Sequence, residues 1–143
     1  MNDAGNPLIL LVEDNSDEVE LTRASFARTD RSVEVHRVAN GKECMAFLQK
    51  QGPYSQAPTP DVVLLDLNMP VMDGRAVLKK VSQDPDLRSV PIVVLSTSKA
   101  TTDIELSYQL GCRSYLVKPI DFNEFQELVT TFCEYWFRVV ALP

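Results

Sequence analysis

The sequence predicts an α/β fold in which a parallel five-stranded sheet carries helices on both faces. Five apolar runs have the length of strands, and a segment with helical periodicity follows each of them. Three of the runs are nearly unbroken, which is typical of parallel strands that are covered on both faces. The strict alternation of strands and helices indicates right-handed crossovers and one doubly wound sheet. We therefore expect a single domain over residues 1–143, a length close to the usual size of one domain.

The strands are predicted from short apolar runs bounded by polar or turn-forming residues. The three unbroken runs are the first, third and fourth, and they read LILLV, DVVLL and IVVL. The second and fifth read VEVHRV and SYLV. The five predicted strands are residues 8–12, 33–38, 61–65, 92–95 and 114–117.

The helices are predicted from apolar spacing and from capping residues at their starts. Asn15 or Ser16, Asn40 and Asp73 are the candidate N-caps of the first three helices, and Gly111 is a candidate C-cap of the fourth. The stretch 51–60, which contains three prolines, predicts an extended loop before the third strand. The first four predicted helices are residues 16–29, 41–50, 74–82 and 101–110. Helical spacing places Val19, Thr22 and Phe26 on one side of the first helix, and the fourth carries Ile104 and Tyr108.

The last helix is predicted to be extended, from near Asp121 to Val140. It has more apolar residues than one buried face needs. A stripe at helical spacing favours a core contact, and its members are Phe122, Phe125, Val129, Phe132, Trp136 and Val140.

Composition argues against several classes of protein. Fourteen Lys and Arg against twenty Asp and Glu give a net charge of -6, whereas nonspecific nucleic-acid binding needs a basic surface. Cys44, Cys112 and Cys133 have no CxxC spacing, which favours reduced thiols packed as apolar groups over disulfides or zinc ligands. The first residues lack the features of a signal peptide, and no apolar run approaches the roughly 20 residues of a membrane helix. We therefore expect a cytoplasmic protein that binds neither nucleic acid nor membranes.

Polar groups follow four of the five predicted strands at the point where each strand ends. In an open parallel sheet these ends meet at the edge where ligands bind. Carboxylates brought together there would repel one another, and a set of oxygen ligands without nearby His or Cys indicates Mg²⁺, with Mn²⁺ as the alternative, rather than Zn²⁺. A metal, a lysine and a hydroxyl are the usual parts for phosphoryl transfer. The candidate residues are Glu13, Asp14, Asp66, Asn68, Ser96 and Lys118.

Each of these groups alone also has an ordinary structural explanation. Glu13 and Asp14 could belong to a polar loop that caps a helix, and the residues after Asp66 could form a simple turn. The convergence of four strand ends favours a functional site over coincidence. His36, the only histidine, lies on the second strand away from those ends, and we expect it to be a packed or surface residue.

The set of motifs resembles the receiver domains of bacterial two-component response regulators over nearly the whole chain. It consists of the pair Glu13-Asp14, the segment DLNMP at 66–70 with Asp73-Gly74, a hydroxyl after the fourth strand, and Lys118-Pro119. The resemblance implies a flavodoxin-like sheet with strand order 2-1-3-4-5. It also implies a phosphoacceptor signalling protein rather than an enzyme, with self-catalysed phosphoryl transfer and slow autodephosphorylation.

The resemblance further implies how the phosphoryl group is handled. Asp66 would accept it from a phosphohistidine of a sensor histidine kinase, and Lys118 would contact a phosphoryl oxygen. The hydroxyl of Ser96 would turn toward the phosphoryl group, although Thr97 beside it leaves the register open. Tyr115 would follow that hydroxyl inward.

The metal ligands and one backbone feature are implied in the same way. Asp14 and the Asp66 carboxylate would bind Mg²⁺ directly together with the backbone carbonyl of Asn68, and Glu13 would act through water. Pro119 is expected to follow a cis peptide bond, a form that is rare outside X-Pro bonds.

A narrower similarity points to the small single-domain regulators that partner bacterial phytochromes. It lies in the loop before the third strand, the stretches DPDLRSVPIVVLSTS and DIELSYQLG, and the aromatic last helix. Related regulators form homodimers through the face made by the fourth helix, the fifth strand and the last helix. Tyr135, Phe137 and Val139 fall partly outside the apolar stripe, which fits either a wide sheet contact, a folded-back terminus or a partner surface. We expect a homodimer with Tyr135 and Phe137 at its interface.

Two other functions agree with part of the pattern. A phosphatase of the haloacid dehalogenase type also uses an Asp nucleophile with Mg²⁺, but it resembles Asp-x-Asp, and Asn68 cannot act as the second, general-acid carboxyl. A phosphorylation-independent adaptor would need none of these groups. The intact set Glu13, Asp14, Asp66 and Lys118 speaks against it.

Overall fold

Five parallel strands form one sheet in the computed structural model, which describes residues 5–69 and 71–143. Their order across the sheet is β2-β1-β3-β4-β5, and every neighbouring pair is parallel. The doubly wound, flavodoxin-like fold is therefore confirmed. The strands are β1 (Leu8–Val12), β2 (Glu34–Val38), β3 (Val62–Leu65), β4 (Ile92–Ser96) and β5 (Ser114–Val117).

Five α-helices alternate with the strands, and the first four agree with the predicted ranges to within two residues at each end. The side chains of Asn15, Asn40, Asp73 and Asp121 accept backbone N–H groups two or three residues later and so cap four of the helices. A single 3-10 turn, Gly52–Tyr54, lies in the predicted extended loop. The helices are α1 (Ser16–Ala27), α2 (Gly41–Leu48), α3 (Gly74–Gln83), α4 (Thr101–Gln109) and α5 (Phe122–Glu134).

Two apolar layers cover the two faces of the sheet. Side chains alternate between the faces along each strand, so that Leu10 and Val63 pack on one side and Ile9 and Val62 on the other. Helices α2 and α3 cover the first face, and α1 and α5 cover the second. The helical residues of the second layer include Val19, Phe26, Phe125, Val129, Phe132 and Trp136.

Helix α4 packs differently from the other helices. Its one buried residue is Ser107, whose hydroxyl donates to the Asp103 carbonyl at 2.8 Å. Of the two larger residues from which this helix is predicted, Ile104 is half-buried and Tyr108 is exposed. Helix α4 therefore gains little apolar burial.

The last helix is extended by a π-helical turn, Tyr135–Val139, as the predicted length required. The apolar stripe is confirmed for four of its members, which are buried: Phe125, Val129, Phe132 and Trp136. Val140 is half-buried. The prediction that Phe122 packs in the core is wrong. Phe122 is 41% exposed because it occupies the first turn, where its ring lies 5.2 Å from the Arg28 guanidinium.

Three smaller points complete the fold. Among the described residues no peptide bond is cis, so the expected cis bond before Pro119 is wrong; trans is the lower-energy form of an X-Pro bond by roughly 0.5–1 kcal/mol, and the Lys-Pro pair alone does not override that preference. Pro70, the last residue of the DLNMP segment that carries the family resemblance, lies outside the described residues. Across the described part of the chain, every helix is too short or too polar to cross a bilayer.

Candidate functional site

Three carboxylates meet at the carboxyl ends of β1 and β3. Glu13 and Asp14 follow β1, Asp66 follows β3, and one oxygen from each lies within 4.8 Å of the others. Ladder hydrogen bonds fix both strand ends, because the Glu13 N–H donates to Val38 at 3.1 Å and the Asp66 N–H donates to Val12 at 3.1 Å. Glu13 is 5% exposed, Asp66 is half-buried and Asp14 is exposed. The sheet thus brings together the three acids that the sequence places at its edge.

The electrostatics of this cluster favour a cation. The pKa of Glu13 is raised to about 7, chiefly by burial; the ammonium of Lys118 opposes this rise, and the negative charge of Asp66 adds to it. Burial also raises the pKa of Asp66, against the opposing effects of the Asn68 N–H and Lys118. Because their pKa values are raised, Glu13 and Asp66 lose their protons less readily than free carboxylic acids do. A divalent cation beside these two groups and Asp14 would stabilise the charged carboxylates.

The donor chemistry fits Mg²⁺ or Mn²⁺. All three groups offer hard carboxylate oxygens, and the described metal-ligand cluster includes no His or Cys. Glu13, Asp14 and Asp66 would hold the ion. The Asn68 N–H donates to Asp66 Oδ1 at 3.3 Å and its side chain is exposed at the rim, whereas a metal contact from its carbonyl stays a prediction.

Lys118 reaches this cluster from the end of β5. Its Nζ lies 3.3 Å from Glu13 Oε1 and 3.4 Å from Glu18 Oε2, and its side chain is 11% exposed. Glu18 is a site residue that the sequence pattern did not single out. The sequence feature that could have indicated Glu18 is its position in the first turn of α1, next to the strand end that carries Glu13 and Asp14. Its backbone N–H donates to the Asn15 cap at 3.0 Å.

Arg37 is a second site residue that the sequence pattern did not single out. Its Nε donates to the Glu13 carbonyl at 3.0 Å and its Nη2 donates to the Asp14 carbonyl at 3.3 Å. The sequence feature that could have indicated Arg37 is its position near the end of β2, the neighbour of β1. Arg37 pairs there with Leu11 in the ladder. Arg37 thereby holds the backbone that presents the two acids.

The hydroxyl at the end of β4 belongs to Ser96, the last residue of that strand. This residue is 1% exposed, and its Oγ accepts the Ser98 N–H at 3.1 Å, whereas Thr97 is exposed. The geometry therefore favours Ser96 over Thr97 as the inward hydroxyl. Tyr115 is half-buried and donates its OH to the Ser98 carbonyl at 2.9 Å, so that Ser96 and Tyr115 both contact the same loop residue.

A polar network connects that loop to the start of α3. Ser98 Oγ donates to Asp103 Oδ2 at 2.6 Å, and Arg75 Nη2 donates to Asp103 Oδ1 at 2.8 Å. No sequence pattern links these three residues, because they come from different elements and helical spacing does not reveal which way each helix faces.

The two predicted interface residues lie on different surfaces. Tyr135 is 53% exposed and lines a groove of about 460 Å³ between β5 and α5 together with Leu116 and Leu128. Phe137 is half-buried, with its ring centroid 5.9 Å from that of Phe132, and it lines a different cavity beside Pro7. Only Tyr135 is openly available to a partner.

The remaining candidates have structural roles. Cys44, Cys112 and Cys133 are free and buried, and burial raises the pKa of Cys44 to about 12. The prediction that they pack as apolar groups is confirmed. His36 Nε2 lies 2.7 Å from Glu34 and its ring packs against Phe47 with centroids 5.8 Å apart, as expected for a packed surface residue.

Comparisons with known proteins agree with this geometry. The "Response regulator receiver domain" family matches residues 9–130. Response regulator Rcp1 of Synechocystis sp. is 39% identical over 145 residues, which covers 100% of this chain and 99% of that protein.

Two solved structures are similar over almost the full length. The phosphorylated cyanobacterial phytochrome response regulator RcpA superposes with a TM-score of 0.92 at 39% identity, covering 97% of this chain and 99% of that one. The Mn²⁺-bound form of Rcp1 superposes with a TM-score of 0.89 at 38% identity, covering 96% and 99%. The second relative was solved with a divalent ion of the kind that the carboxylate cluster fits.

Proposed function

This chain belongs to the response regulator receiver domain family, and we propose that it is a stand-alone phosphoacceptor that a sensor histidine kinase, a bacterial phytochrome, phosphorylates on Asp66 in the cytoplasm. The observation that carries the proposal is the cluster of Glu13, Asp14 and Asp66 with Lys118 at 3.3 Å from Glu13. The match to Rcp1 over 99% of its length and to a phytochrome response regulator supports the stand-alone format and the kind of kinase.

In the proposed reaction, an Asp66 carboxylate oxygen attacks the phosphorus of a phosphohistidine. The P–O bond forms as the P–N bond breaks, and the imidazole leaves with the electron pair. Glu13, Asp14 and Asp66 would hold Mg²⁺, which would supply charge neutralisation for phosphoryl transfer. Slow hydrolysis of the acyl phosphate by water then returns the Asp66 carboxylate and inorganic phosphate.

Lys118 would have different partners before and after phosphorylation. It pairs with Glu13 and Glu18 at rest, at 3.3 and 3.4 Å. We expect its ammonium to move to a phosphoryl oxygen when the group arrives, since a phosphoryl group carries more negative charge than the Glu13 carboxylate. Ser96 would donate its hydroxyl to another phosphoryl oxygen, and Tyr115 would follow.

Phosphorylation by a small phosphodonor tests the proposal directly. The protein is incubated with Mg²⁺ and phosphoramidate, and its intact mass is measured before and after treatment with base. We expect one added phosphoryl group that is stable in acid and lost in base, as an acyl phosphate requires. Rapid turnover of many phosphoesters would indicate a phosphatase instead, and no label from any donor would contradict the proposal.

Two matched variants identify the roles. Asp66→Asn should abolish the label, and Lys118→Ala should slow labelling while leaving Mg²⁺ binding in place, because Lys118 is not a proposed metal ligand. Asp17→Asn, an exposed acid in the first turn of α1, is the control and should label like the wild type.

We further propose that the signal is read on the face formed by α4, β5 and α5, and that this face also forms a homodimer. Leu106 and Tyr108 are exposed on α4, all of β5 is half-buried, and Tyr135 lines the groove beside it. Exposed apolar residues of this kind often mark interfaces. Tyr135 would contribute most, and Phe137, which packs inward, would support the helix end.

Molar mass in solution tests the dimer. Tyr135→Asp should yield monomers, whereas Gln51→Asp, an exposed change at the far end of α2, should not. Phe137→Leu keeps an apolar group against Phe132. This variant distinguishes support of the helix end, which an apolar group preserves, from direct contact of the Phe137 ring with the partner. A wild type that is monomeric both with and without a phosphoryl group would rule the dimer out.

A further inference from the structure

We propose that Arg37 is a positioning residue for the divalent-cation site, and that its two hydrogen bonds raise the affinity of this site for Mg²⁺ relative to Ca²⁺. Arg37 lies on β2, and its guanidinium reaches the backbone carbonyls of Glu13 and Asp14. The inference rests on the proposed function, since it concerns the metal ligands assigned there. It adds the residue that fixes their backbone.

The ladder between β1 and β2 ends just before the proposed metal ligands. Its last pair is Val12 and Val38, and the Glu13 N–H still donates to the Val38 carbonyl at 3.1 Å. Asp14 lies one residue further on, where β2 has ended and the chain continues into α2. A partner other than the ladder therefore has to hold the backbone of Asp14 if its carboxylate is to keep one position.

Arg37 supplies that partner from within β2. In the ladder it pairs with Leu11, two residues before Glu13 and three before Asp14. Residues along a strand are about 3.3 Å apart, a spacing that lets a long side chain reach past the end of the ladder. Its Nε donates to the Glu13 carbonyl at 3.0 Å and its Nη2 to the Asp14 carbonyl at 3.3 Å. Because the guanidinium is rigid and planar, it fixes the two carbonyls relative to each other.

Asp14 is the proposed ligand that depends most on this support. Asp14 is exposed, whereas Glu13 is 5% exposed and Asp66 is half-buried, so packing holds Asp14 least. On the side of α1, the Asn15 N–H donates to Glu13 Oε2 at 3.3 Å and fixes the next residue of the turn. Arg37 holds the same turn from the side of β2.

The positive charge of Arg37 acts against its proposed role, and this opposition makes the role testable. A guanidinium near a cation site repels the cation. If Arg37 acted only through its charge, its removal would strengthen the binding of all divalent cations to a similar degree. If Arg37 positions Asp14, its removal weakens binding, and it does so most for the ion that tolerates the least distortion. Mg²⁺ requires near-ideal octahedral geometry, whereas Ca²⁺ accepts flexible arrangements of oxygen ligands.

Calorimetric titration of Mg²⁺ and Ca²⁺ into the unphosphorylated protein tests the proposal. Arg37→Met removes both donors, and we expect the Mg²⁺ affinity to fall by about tenfold, the lower end of the effect of residues that orient metal ligands. The Ca²⁺ affinity should fall by less, so the ratio of the Mg²⁺ affinity to the Ca²⁺ affinity should decrease. Arg37→Lys keeps the charge but cannot reproduce the two-pronged contact, and its Mg²⁺ affinity should also fall.

Arg23→Met is the matched control. Arg23 has the same charge, and it donates from α1 to a carbonyl of β2, that of Val35, at 2.9 Å. It is exposed, and its contact involves none of the three carboxylate residues. The variant should bind both ions at least as tightly as the wild type, with an unchanged affinity ratio. A loss of Mg²⁺ affinity in this control equal to that in Arg37→Met would overturn the proposal.

The free energy of unfolding in the presence of a chelator separates positioning from a role in stability alone. An Arg37→Met protein that is less stable but keeps the wild-type Mg²⁺ affinity and affinity ratio would overturn the proposal. A rise in affinity for both ions, the result expected from charge alone, would overturn it as well. If Arg37→Met does not fold, the same two quantities measured on Arg37→Lys decide the question.

Failure of this inference is distinguishable from failure of the proposed function. The titrations contain no phosphodonor, so their result stands whether or not Asp66 accepts a phosphoryl group. Wild-type affinities in both Arg37 variants would overturn the role of Arg37 alone. A wild type that binds neither ion would overturn that role together with the proposed metal site.

Discussion

The two regions that meet at the carboxylate site are held together by different forces. Strands β1 and β3, which end in the three acids, are buried at every position, with apolar layers on both faces. Strand β5, which carries Tyr115, is half-buried, and helix α4, which carries Asp103, is mostly exposed. Hydrogen bonds from Tyr115 and to Asp103 join both elements to the loop between β4 and α4, residues 97–100. Apolar burial fixes the strands that end in the acids, whereas directional polar contacts contribute more to the position of β5 and α4.

This difference suits the two proposed tasks. A phosphoacceptor has to present its carboxylate in one geometry, and deeply buried strands resist displacement because core packing is dense. A switch has to exchange one set of contacts for another of similar free energy, and net hydrogen-bond contributions of about 1 kcal/mol allow that. We refer to these parts as the acceptor region (β1, β3 and the residues that follow them) and the switch region (β4–α4 loop, α4 and β5).

The largest expected effect is on the stability of the acceptor region. Leu10 is fully buried at the centre of β1, so Leu10→Ala should lower the free energy of unfolding by about 2–5 kcal/mol. Leu106→Ala on α4 removes a side chain that is 38% exposed and should cost less than about 1 kcal/mol. Denaturant unfolding of both variants measures the contrast. Equal losses would mean that α4 is held by apolar burial after all.

The next effect concerns the close packing of α3 on the acceptor region. In Gly74→Ala, the added Cβ would lie 2.6 Å from the Asp66 carbonyl oxygen and 2.8 Å from the Leu67 Cα, and backbone atoms cannot move aside cheaply. We expect a loss of about 1–3 kcal/mol in stability together with weaker Mg²⁺ binding. Gly52→Ala, which meets no atom within 4 Å and suffers only from its φ of 57°, should leave Mg²⁺ affinity unchanged. Calorimetric titration with Mg²⁺ distinguishes the two.

The pH dependence of the free energy of unfolding without metal tests the electrostatics of the acceptor region. The pKa of Glu13 rises from 4.5 to about 7 on folding, so the folded protein binds more protons than the unfolded chain between these values. The free energy of unfolding in the presence of a chelator should therefore be highest below that window and fall as pH rises through 7, by on the order of 1–2 kcal/mol. Asp66, whose pKa is also raised, acts in the same direction.

Glu13→Gln isolates this contribution. The variant should lose most of the slope, whereas Glu20→Gln, an exposed change on α1, should keep it. A difference between wild type and Glu13→Gln that grows in favour of the wild type with rising pH would contradict the account.

The smallest effect lies in the switch region. Tyr115→Phe removes the 2.9 Å hydrogen bond to the Ser98 carbonyl and should cost about 0.5–1.5 kcal/mol. Tyr108→Phe removes an exposed acceptor of the Tyr115 N–H at 3.1 Å and should cost less, since water replaces it. Thermal unfolding of both variants under one condition provides the ranking. The reverse ranking would indicate that the exposed contact, rather than Ser98, holds Tyr115.

The two regions also differ in how far the sequence predicts them. Unbroken apolar runs reveal where β1 and β3 end, so the sequence alone is enough to place Glu13, Asp14 and Asp66 together. The switch region gives weaker signals. Ser107 turns inward although it is polar, because its hydroxyl bonds to the carbonyl four residues earlier in its own helix.

Partners from distant elements could not be predicted for a related reason. Glu18 and Arg37 reach the site through the rotation of α1 and the register of β2, and Arg75 in the first turn of α3 contacts Asp103 in the first turn of α4. Such pairs depend on how elements are arranged, whereas sequence periodicity reports only which face of each element is apolar.

The most direct test of the central claim is to locate the acyl phosphate chemically. Protein labelled by phosphoramidate with Mg²⁺ is treated with borohydride, which reduces a phosphoaspartate to homoserine, and peptides are then read by mass spectrometry. We expect homoserine at position 66 alone. Homoserine at Asp14 or Asp73, or an unmodified Asp66 in protein that carries the label, would contradict it.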